Sequence, residues 1–344
     1  MRNMAVHELT PAQKYLEDRT ILDVRNLTKE FPVKEGVFQQ KKTVKAVTDV
    51  SFSIRENETF SLVGESGCGK STTGRAVLQL IKPTSGEVYF RGKNIVGLKG
   101  RPLKEVRQSM QMIFQDPYSS LNPRIPVGEI VEEALKINHI GVGKKERMSL
   151  SMEILNKVGI RKDQYYRYPH EFSGGQRQRI GLARALILNP SIIVCDEPVS
   201  ALDVSIQSQI INLLQDLQEE RQLSYAFIAH DMSVVKYISS RIGVMYLGHI
   251  VEEAPTDDLF GMTLHPYAQA LLSAVPSTNP HVRKKRIVLE GDVPSPINPP
   301  TGCVFHTRCP YATQKCQTEI PVRREINQGH FVCCHLYEQG RTVE

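Results

Sequence analysis

Eight consecutive residues have the types and spacing that can hold the phosphates of a nucleotide. They follow the pattern G-x-x-x-x-G-K-S and are Gly64, Glu65, Ser66, Gly67, Cys68, Gly69, Lys70 and Ser71. The preceding "TFSLV" predicts a short buried strand and the following "TTGRAVLQL" an amphipathic helix, so backbone N–H groups would point at an anion at a helix start. We expect Lys70 to reach the β- and γ-phosphates, Ser71 to ligate Mg²⁺, and Thr72 to complete the binding set.

A pair of acids follows a second predicted strand. The apolar run "IIVC" leads directly into Asp196 and Glu197. Because ligands bind at the carboxyl ends of strands in open α/β sheets, we expect Asp196 to orient the Mg²⁺ shell and Glu197 to polarise the attacking water. The alternative is two loop acids without a role. Cys195, inside the strand, is expected to be a small buried hydrophobe.

A second glycine-containing turn precedes another predicted helix. In "FSGGQRQRIGLARAL" the helix start carries Ser173, Gly174, Gly175 and Gln176. One nucleotide needs only one phosphate cradle, so this second anion-binding start would make sense if it capped the γ-phosphate of a nucleotide held by another subunit. The alternative is a helix cap with a flexible turn.

These three segments, in this order, resemble those of the ATP-binding subunits of ABC transporters, over about residues 20 to 260. The resemblance implies an α/β fold with a RecA-like P-loop NTPase core, an antiparallel β subdomain and a helical insert. It also implies that the chain hydrolyses ATP with Mg²⁺.

The same resemblance implies four further site residues. Gln115 in "MIFQDP" would be catalytic and would help to ligate Mg²⁺, and His230 in "FIAHD" would contact the γ-phosphate. Asp203 in "SALD" would lie in the loop that meets the second subunit. Phe31 aligns with the aromatic residue that stacks on adenine, where the family more often has Tyr. Lys70, Gln115, Glu197 and His230 form the expected catalytic set.

The elements that would position these residues follow from the periodicity of the chain. "ILDVRNL" and "AVTDVSFSI" alternate as strands do and flank a polar insertion from Pro32 to Thr43. The pattern is mostly helical over about residues 104–187, and "QSQIINLLQDLQEERQ" predicts a crossover helix between buried strands. From His265 onward the chain is rich in proline. We therefore expect an N-terminal extension (1–19), an ATPase domain (20–264) and a loop-rich extension (265–344).

Other segments resemble the oligopeptide/dipeptide permease ATPases, specifically the OppF/DppF-type subunit. They are "QDPYSSLNPR", "HEFSGGQRQRI", "HPYAQALLSAVP" and "GCVFHTRCPYA". This narrower resemblance implies a second, related ATPase subunit, two membrane-spanning permease subunits and an extracytoplasmic solute-binding protein. It implies uptake of oligopeptides or dipeptides across the cytoplasmic membrane, with nickel, glutathione or another small solute as the alternative cargo. The chain itself would lie at the cytoplasmic face of that membrane. Near Tyr118 a groove could receive a helix of a membrane subunit.

Five of the seven cysteines fall in the last 42 residues. Cys303, Cys309, Cys316 and Cys334 have the spacing C-x5-C-x6-C-x17-C, which is not that of a common zinc finger. Four thiolates could bind Zn²⁺ or an iron–sulfur cluster, or the cysteines could be free or disulfide-bonded. The subfamily resemblance implies a [4Fe–4S] cluster and selects Cys334, directly before His335, over Cys333.

Composition excludes several classes of protein. With 40% hydrophobic and 23% charged residues and no apolar run of eighteen residues, the chain is expected to be globular and not to span a membrane by itself. A net charge of +6 suits anionic ligands but is too small to indicate nucleic-acid binding. The basic run "HVRKKR" (His281 to Arg286) is expected to be a solvated surface, and a DNA-associated ATPase would need a long coiled coil that the sequence lacks.

Overall fold

The computed structural model of the protein describes residues 10–33, 42–275 and 286–338. The strands of these ranges are β1 Thr20–Val33, β2 Lys42–Arg55, β3 Thr59–Val63, β4 Ser85–Phe90, β5 Lys93–Asn94, β6 Met110–Ile113, β7 Ile192–Asp196, β8 Ser224–Ala229, β9 Arg241–Tyr246, β10 His249–Pro255, β11 Arg324–Asn327 and β12 His330–Val332. The helices are α1 Pro11–Glu17, α2 Lys70–Val77, α3 Gly100–Ser109, α4 Pro117–Ser120, α5 Val127–Ile137, α6 Lys144–Lys157, α7 Gly174–Leu186, α8 Val204–Arg221, α9 Met232–Ile238, α10 Thr256–Gly261, α11 Pro266–Ser273 and α12 Gln314–Thr318.

A four-stranded antiparallel sheet forms the first layer, in the order β2-β1-β4-β5. β1 and β2 contain the two alternating segments of the sequence, and their partly alternating burial puts one face on the core. Phe52 of β2 stacks on Phe60 of β3 with ring centroids 4.9 Å apart. This aromatic contact joins the antiparallel sheet to the main sheet.

The main sheet has eight strands in the order β11-β12-β10-β9-β3-β8-β7-β6. β9, β3, β8, β7 and β6 are parallel, and the other three are added antiparallel at one edge. Every residue of β3, β7 and β8 is buried, as expected for parallel strands covered on both faces. Their carboxyl ends therefore meet at one edge of the sheet.

The predicted helical insert is less uniform than the sequence suggested. The range 104–187 contains α4 to α7, but it also contains β6, a strand of the main sheet beside β7. The four-residue "MQMI" of β6 is too short for its periodicity to show a strand. Gly128 of α5 lies against the ring of Tyr165, where an added Cβ would come within 2.2 Å, so the two segments pack closely.

The C-terminal extension is more ordered than its proline content predicted. β12 pairs with β10, placing Val332 opposite Glu252, and β11 continues the sheet. Glu252 is buried and accepts hydrogen bonds from Leu264 N (2.9 Å), His265 N (2.7 Å) and His330 Nε2 (2.8 Å). A buried carboxylate needs such donors, and those from His265 and His330 bind the extension to the sheet.

Parts of three predicted segments lie outside the described residues. They are the start of the N-terminal extension (1–9), most of the polar insertion (34–41) and all but Arg286 of the basic run "HVRKKR". The described part of the N-terminal extension forms α1, which starts at a capping box of Thr10 and Gln13. Within the described ranges no helix is both long enough and apolar enough to cross a membrane.

Candidate functional site

Four neighbouring parallel strands each deliver a predicted site segment to one edge of the main sheet. β3 ends before Gly64, β8 before His230, β7 before Glu197, and β6 two residues before Gln115. These strands are adjacent in the order β3-β8-β7-β6. Segments far apart in the sequence therefore meet because their strands are parallel neighbours.

The phosphate-loop residues Gly64 to Ser71 connect β3 to α2 through conformations that glycine allows. Gly64 (φ 154°) lies so close to Met245 that an added Cβ would be 2.1 Å from its carbonyl oxygen, and Gly69 (φ 108°) lies equally close to Ala46. The buried Lys70 points into this loop, and its Nζ donates hydrogen bonds to the carbonyl oxygens of Gly64 (2.8 Å) and Glu65 (3.0 Å). The loop thus places an ammonium group at the helix start where an anion would bind.

Ser71 and Asp196 form the pair that was predicted to hold Mg²⁺. Ser71 Oγ donates a hydrogen bond of 2.6 Å to Asp196 Oδ1. Asp196 Oδ2 is buried and accepts no hydrogen bond from the described residues; a guanidinium nitrogen of Arg75 lies 3.6 Å away. Burial raises the pKa of Asp196, against the Ser71 hydrogen bond and the Arg75 charge. A hydroxyl and a carboxylate with a free lone pair are ligands that suit Mg²⁺.

Two predicted catalytic residues, Gln115 and His230, meet at one carboxylate oxygen of a third, Glu197. Gln115 Nε2 donates a hydrogen bond of 2.8 Å to Glu197 Oε2, and His230 Nδ1 lies 3.4 Å from the same oxygen. Glu197 has φ 45°, an unfavourable conformation for a residue with a Cβ, and its N–H donates to Ile228 O at 3.0 Å. The backbone is thus held in the turn that directs this carboxylate to Gln115 and His230.

The residues of the second glycine-containing turn occupy a separate exposed helix start. Ser173 is exposed and caps α7, accepting from Gln176 N at 3.3 Å while Gln176 Oε1 accepts from Ser173 N at 3.0 Å. Gly175 lies against Ile206 of α8, where an added Cβ would come within 2.4 Å. Asp203 caps α8 by accepting from Ile206 N at 3.0 Å. The hydrogen bonds described for Ser173 lie within its own helix start, which is the cap geometry that the sequence left open as an alternative.

Phe31 lies on the antiparallel sheet near the phosphate loop. It pairs with Val44 in the β1–β2 ladder, and Ala46, two residues farther along β2, contacts Gly69. Its side chain is 37% exposed and Lys29 Nζ lies 4.7 Å from the ring centroid. The ring is therefore partly exposed, and the Lys29 ammonium group lies over it.

Sequence reasoning missed three residues of this region. Arg75 of α2 faces Asp196, Tyr267 Oη accepts a hydrogen bond of 2.8 Å from Glu65 N, and Arg308 forms an ion pair with the Glu65 carboxylate. Arg75 could have been found from its position one helical turn after Ser71. Tyr267 and Arg308 had no sequence signal, because they lie in the extension, about 200 residues or more from the loop that they contact.

The four predicted cluster ligands line one cavity. Cys303, Cys309, Cys316 and Cys334 surround a space of about 280 Å³ together with three histidines, His265, His306 and His335. Burial is the main cause that raises the pKa of Cys303 and Cys309, and it raises the pKa of Cys334 to about 12. Backbone N–H groups donate to the same three sulfurs, from Phe305 and His306, Tyr311 and Leu336, which favours their thiolate forms.

Cys333 points away from this cavity. Its N–H donates to Val251 O at 2.8 Å, which continues the pairing of β12 with β10. Successive side chains of extended backbone point to opposite faces, so Cys333 lines a different cavity, one that also reaches Cys303. All seven cysteines are free thiols. In the described ranges no group of three or more His, Cys, Asp or Glu side chains is arranged to hold a metal ion.

Two family models match the chain in the regions just described. Residues 47–200, with the phosphate loop and β7, match the model described as "ABC transporter". Residues 251–316, which include three of the four cavity cysteines, match the model described as "Oligopeptide/dipeptide transporter, C-terminal region".

Solved structures share the fold of the ATPase part. A dimeric ATP-binding cassette, MJ0796, bound to ADP and Pi is 32% identical with a TM-score of 0.61, covering 68% of this chain and 98% of that one. The cbiO1 protein of Clostridium perfringens is 24% identical with a TM-score of 0.59 over 71% of this chain and 92% of that one, and it supports the fold alone.

Curated relatives match over nearly the whole length. The oligopeptide transport ATP-binding protein AppF of Bacillus subtilis (strain 168) is 54% identical over 92% of this chain and 98% of that one. A probable peptide ABC transporter ATP-binding protein of Sinorhizobium fredii, y4tS, is 50% identical over 92% of this chain and 90% of that one. The chain therefore belongs to the ABC transporter family, among the oligopeptide transport ATP-binding proteins, and is an ATPase subunit of such a transporter.

Proposed function

We propose that this chain hydrolyses ATP to drive the import of oligopeptides or dipeptides. The observation that carries the proposal is the meeting of the phosphate loop, Asp196, Glu197 and His230 at the ends of adjacent parallel strands. The peptide cargo is supported by what the names of the Bacillus subtilis and Sinorhizobium fredii relatives state. Nickel, glutathione or another small solute is the alternative cargo.

In this proposal each of the predicted site residues has a role in binding or hydrolysing ATP. The phosphate loop with Lys70 binds the β- and γ-phosphates, and Phe31 stacks on the adenine. Ser71, Asp196 and Gln115 would hold Mg²⁺, for which the free lone pair of Asp196 Oδ2 is suited. When bound, Mg²⁺ neutralises the charge that develops on the phosphates. Glu197 polarises the attacking water while His230 contacts the γ-phosphate.

We propose that the exposed start of α7 acts on the nucleotide of a second, related ATPase subunit. Ser173 is exposed and Gly174 half-buried at the N-terminus of the thirteen-residue helix α7, a position suited to a phosphate, whereas Gly175 is buried. Asp203 at the start of α8 would lie at the same interface. The similar cassette described as dimeric supports pairing of this kind. Because both phosphate shells are complete only in the closed pair, ATP binding would favour closure and hydrolysis would favour opening.

The membrane partners in this proposal are two permease subunits, with an extracytoplasmic solute-binding protein delivering the cargo. Tyr118 at the start of α4 is 64% exposed, and the Arg177 guanidinium carbon lies 3.8 Å from its ring centroid. The exposed Tyr118 ring is thus held in place by a cation–π contact with the buried Arg177. We propose that a permease helix docks there, which would hold the chain at the cytoplasmic face of the membrane.

The experiment replaces Glu197 by Gln in the assembled transporter. Binding of ATP should be retained, while turnover falls by about 10²-fold or more because the general base is lost. Glu105→Gln, an exposed acid paired with Arg101 on α3, is the matched control and should leave turnover unchanged. Undiminished ATPase activity of the Glu197 variant would refute the assignment. The cargo is decided by measuring the uptake of labelled peptides and comparing it with the uptake of nickel and of glutathione.

We further propose that Cys303, Cys309, Cys316 and Cys334 hold a [4Fe–4S] cluster. Three observations support this set. The four cysteines line one cavity, backbone N–H groups donate hydrogen bonds to three of the sulfurs, and Cys333 lies outside that cavity. When bound, the cluster would be held by these four thiolates and would link the segments of the extension that carry them. The extension has few buried apolar residues of its own, so a structural role is the simplest.

Paired serine variants test the ligand set. Protein purified without oxygen should contain about four iron and four sulfide per chain and show a broad visible absorbance. Cys334→Ser should lose most of that iron, whereas Cys333→Ser, its neighbour on the opposite face, should keep it. A colourless protein with one zinc per chain would show that the site binds Zn²⁺ and not the cluster. An undiminished iron content in Cys334→Ser would refute Cys334 as the fourth ligand.

A further inference from the structure

The C-terminal extension contacts the phosphate loop at Glu65. Arg308 Nη1 donates a hydrogen bond of 2.9 Å to Glu65 Oε2, and Nη2 donates one of 3.3 Å to Oε1. The arginine side chain is 8% exposed and the glutamate side chain 28% exposed. A two-point guanidinium–carboxylate contact at a largely buried arginine is stronger and more directional than an ordinary surface ion pair.

The backbone of Glu65 is held as well. Its N–H donates to Tyr267 Oη at 2.8 Å, and its carbonyl oxygen accepts a hydrogen bond from Lys70 Nζ at 3.0 Å. Tyr267 belongs to α11 at the start of the extension, and it is fully buried. The extension therefore contacts both the side chain and the backbone of the residue that supports Lys70.

The position of Arg308 is fixed by the buried loop that carries it. Arg308 ends a 3-10 turn that starts at His306, and its N–H donates to Phe305 O at 3.0 Å. Phe305 is 1% exposed and packs on Tyr246 and Tyr267 with ring centroids 5.1 and 5.5 Å away. This aromatic anchor fixes the loop, so the guanidinium is presented to Glu65 in one orientation.

An acid in a phosphate loop poses an electrostatic problem that the arginine solves. The Glu65 carboxylate would repel the anionic phosphates that the same loop is proposed to bind, since like charges at close range disfavour each other. A guanidinium bound to both carboxylate oxygens cancels that charge and keeps the side chain turned to the extension. Lys70 alone would otherwise have to offset both Glu65 and the phosphates.

We propose that Arg308 is a positioning residue for ATP, which sets nucleotide affinity by neutralising and holding Glu65. This inference rests on the proposed nucleotide role of Gly64 to Ser71. The contact exists independently of hydrolysis, so it contributes to ATP binding in the ground state and in the transition state alike. The extension is then a part of the nucleotide site, in addition to its proposed cysteine site.

The test measures ATP affinity of the full chain and KM and kcat of the assembled transporter. Arg308→Ala should raise the Kd and KM for ATP about tenfold and leave kcat within about twofold, since the lost interaction is uniform binding. Arg308→Lys should lose less, about threefold, because it keeps the charge but not the two-point contact. The defect of Arg308→Ala should shrink at high salt, which screens the partly exposed Glu65.

A second substitution gives the decisive comparison. Glu65→Gln added to Arg308→Ala removes the unpaired acid and should restore the KM for ATP to within about threefold of wild type. Arg323→Ala is the control, an arginine of the same extension that binds Glu253 at 3.1 Å instead of the loop, and it should leave the KM unchanged. An unchanged KM in Arg308→Ala, or no rescue by Glu65→Gln, would overturn the inference.

Failure of the inference can be separated from failure of the proposed function. Lys70→Ala should abolish ATP binding whatever Arg308 does. If Lys70→Ala binds ATP as the wild type does, the proposed nucleotide site is wrong. If Lys70→Ala loses binding and Arg308→Ala does not shift it, only the role of Arg308 is wrong. Should Arg308→Ala fail to fold, the salt dependence of Arg308→Lys and its rescue by Glu65→Gln decide the same question.

Discussion

At the scale of single residues, the site depends on backbone conformations that most side chains avoid. Gly64 and Gly69 allow the phosphate loop to pass against the carbonyl oxygens of Met245 and Ala46. Glu197 adopts φ 45° although it has a Cβ, and its carboxylate is thereby directed at Gln115. Such strain persists only where the surrounding structure holds it, and here it coincides with the proposed catalytic residues.

Replacing two glycines of the phosphate loop by alanine should have different effects on stability and on ATP binding. Gly64→Ala should unfold the loop or abolish ATP binding and cost about 3 kcal/mol of stability, because its Cβ would lie 2.1 Å from a backbone oxygen. Gly67→Ala, with φ 79° and nothing within 4 Å of its Cβ, should cost only about 1 kcal/mol from backbone strain. Urea unfolding and ATP binding measure both, and equal losses in the two variants would contradict the close approach.

At the scale of elements, the ends of strands and the caps of helices place the side chains. Four parallel strand ends bring the predicted catalytic set to one edge, and a capping box shapes the exposed start of α7. The same logic operates at the start of the extension, where His265 caps α11 by accepting from Tyr267 N at 3.1 Å. Burial lowers the pKa of His265 to about 3, so this ring is neutral in the folded protein near pH 7.

This neutral histidine predicts a pH dependence of stability. The unfolded chain protonates His265 near its ordinary pKa of about 6.5, while the folded chain does so only near pH 3, so stability falls as the pH drops below about 6.5. His265→Asn keeps a capping side chain that does not titrate. Between pH 6.5 and 5.5, the free energy of unfolding of the His265→Asn variant should therefore fall by about 1 kcal/mol less than that of the wild type. Urea unfolding across that range checks the slope, and identical slopes in both proteins would refute it.

At the scale of the whole molecule, the extension is continuous with the ATPase core. β12 extends the main sheet beyond β10, and Phe305 completes an aromatic cluster with Tyr246 of β9 and Tyr267 of α11. Arg308 then reaches the phosphate loop across 243 residues of sequence. Sheet, cluster and ion pair together make separate unfolding of the extension unfavourable.

We therefore predict a single cooperative unfolding transition that includes the extension. Phe305→Ala should destabilise the whole described core by about 3 kcal/mol, because the cavity left by the ring adjoins the main sheet. Tyr311→Ala, an exposed aromatic residue of the same extension, should change stability by less than about 0.5 kcal/mol. Urea unfolding followed by circular dichroism measures both. Two transitions, with the larger one unaffected by Phe305→Ala, would show that the extension is an independent domain.

Much of the nucleotide chemistry could be predicted from the sequence because its signals are local. The glycine spacing before Lys70, the apolar run before Asp196 and the strand before His230 are each contained within about ten residues. The choice of Cys334 over Cys333 came from a resemblance, and the structure places Cys334 in the shared cavity and Cys333 outside it. β6 and the strands of the extension were missed because segments of three or four residues carry too little periodicity.

The sequence by itself determined which residue types could bind and hydrolyse a nucleotide, since those patterns lie along the chain. Tertiary structure alone decided that β8 lies between β3 and β7, and so that His230 reaches Glu197. It also decided that Arg308 meets Glu65. Strand neighbours and long-range ion pairs depend on which buried surfaces come together when the whole chain folds, and no local pattern in the sequence encodes that choice.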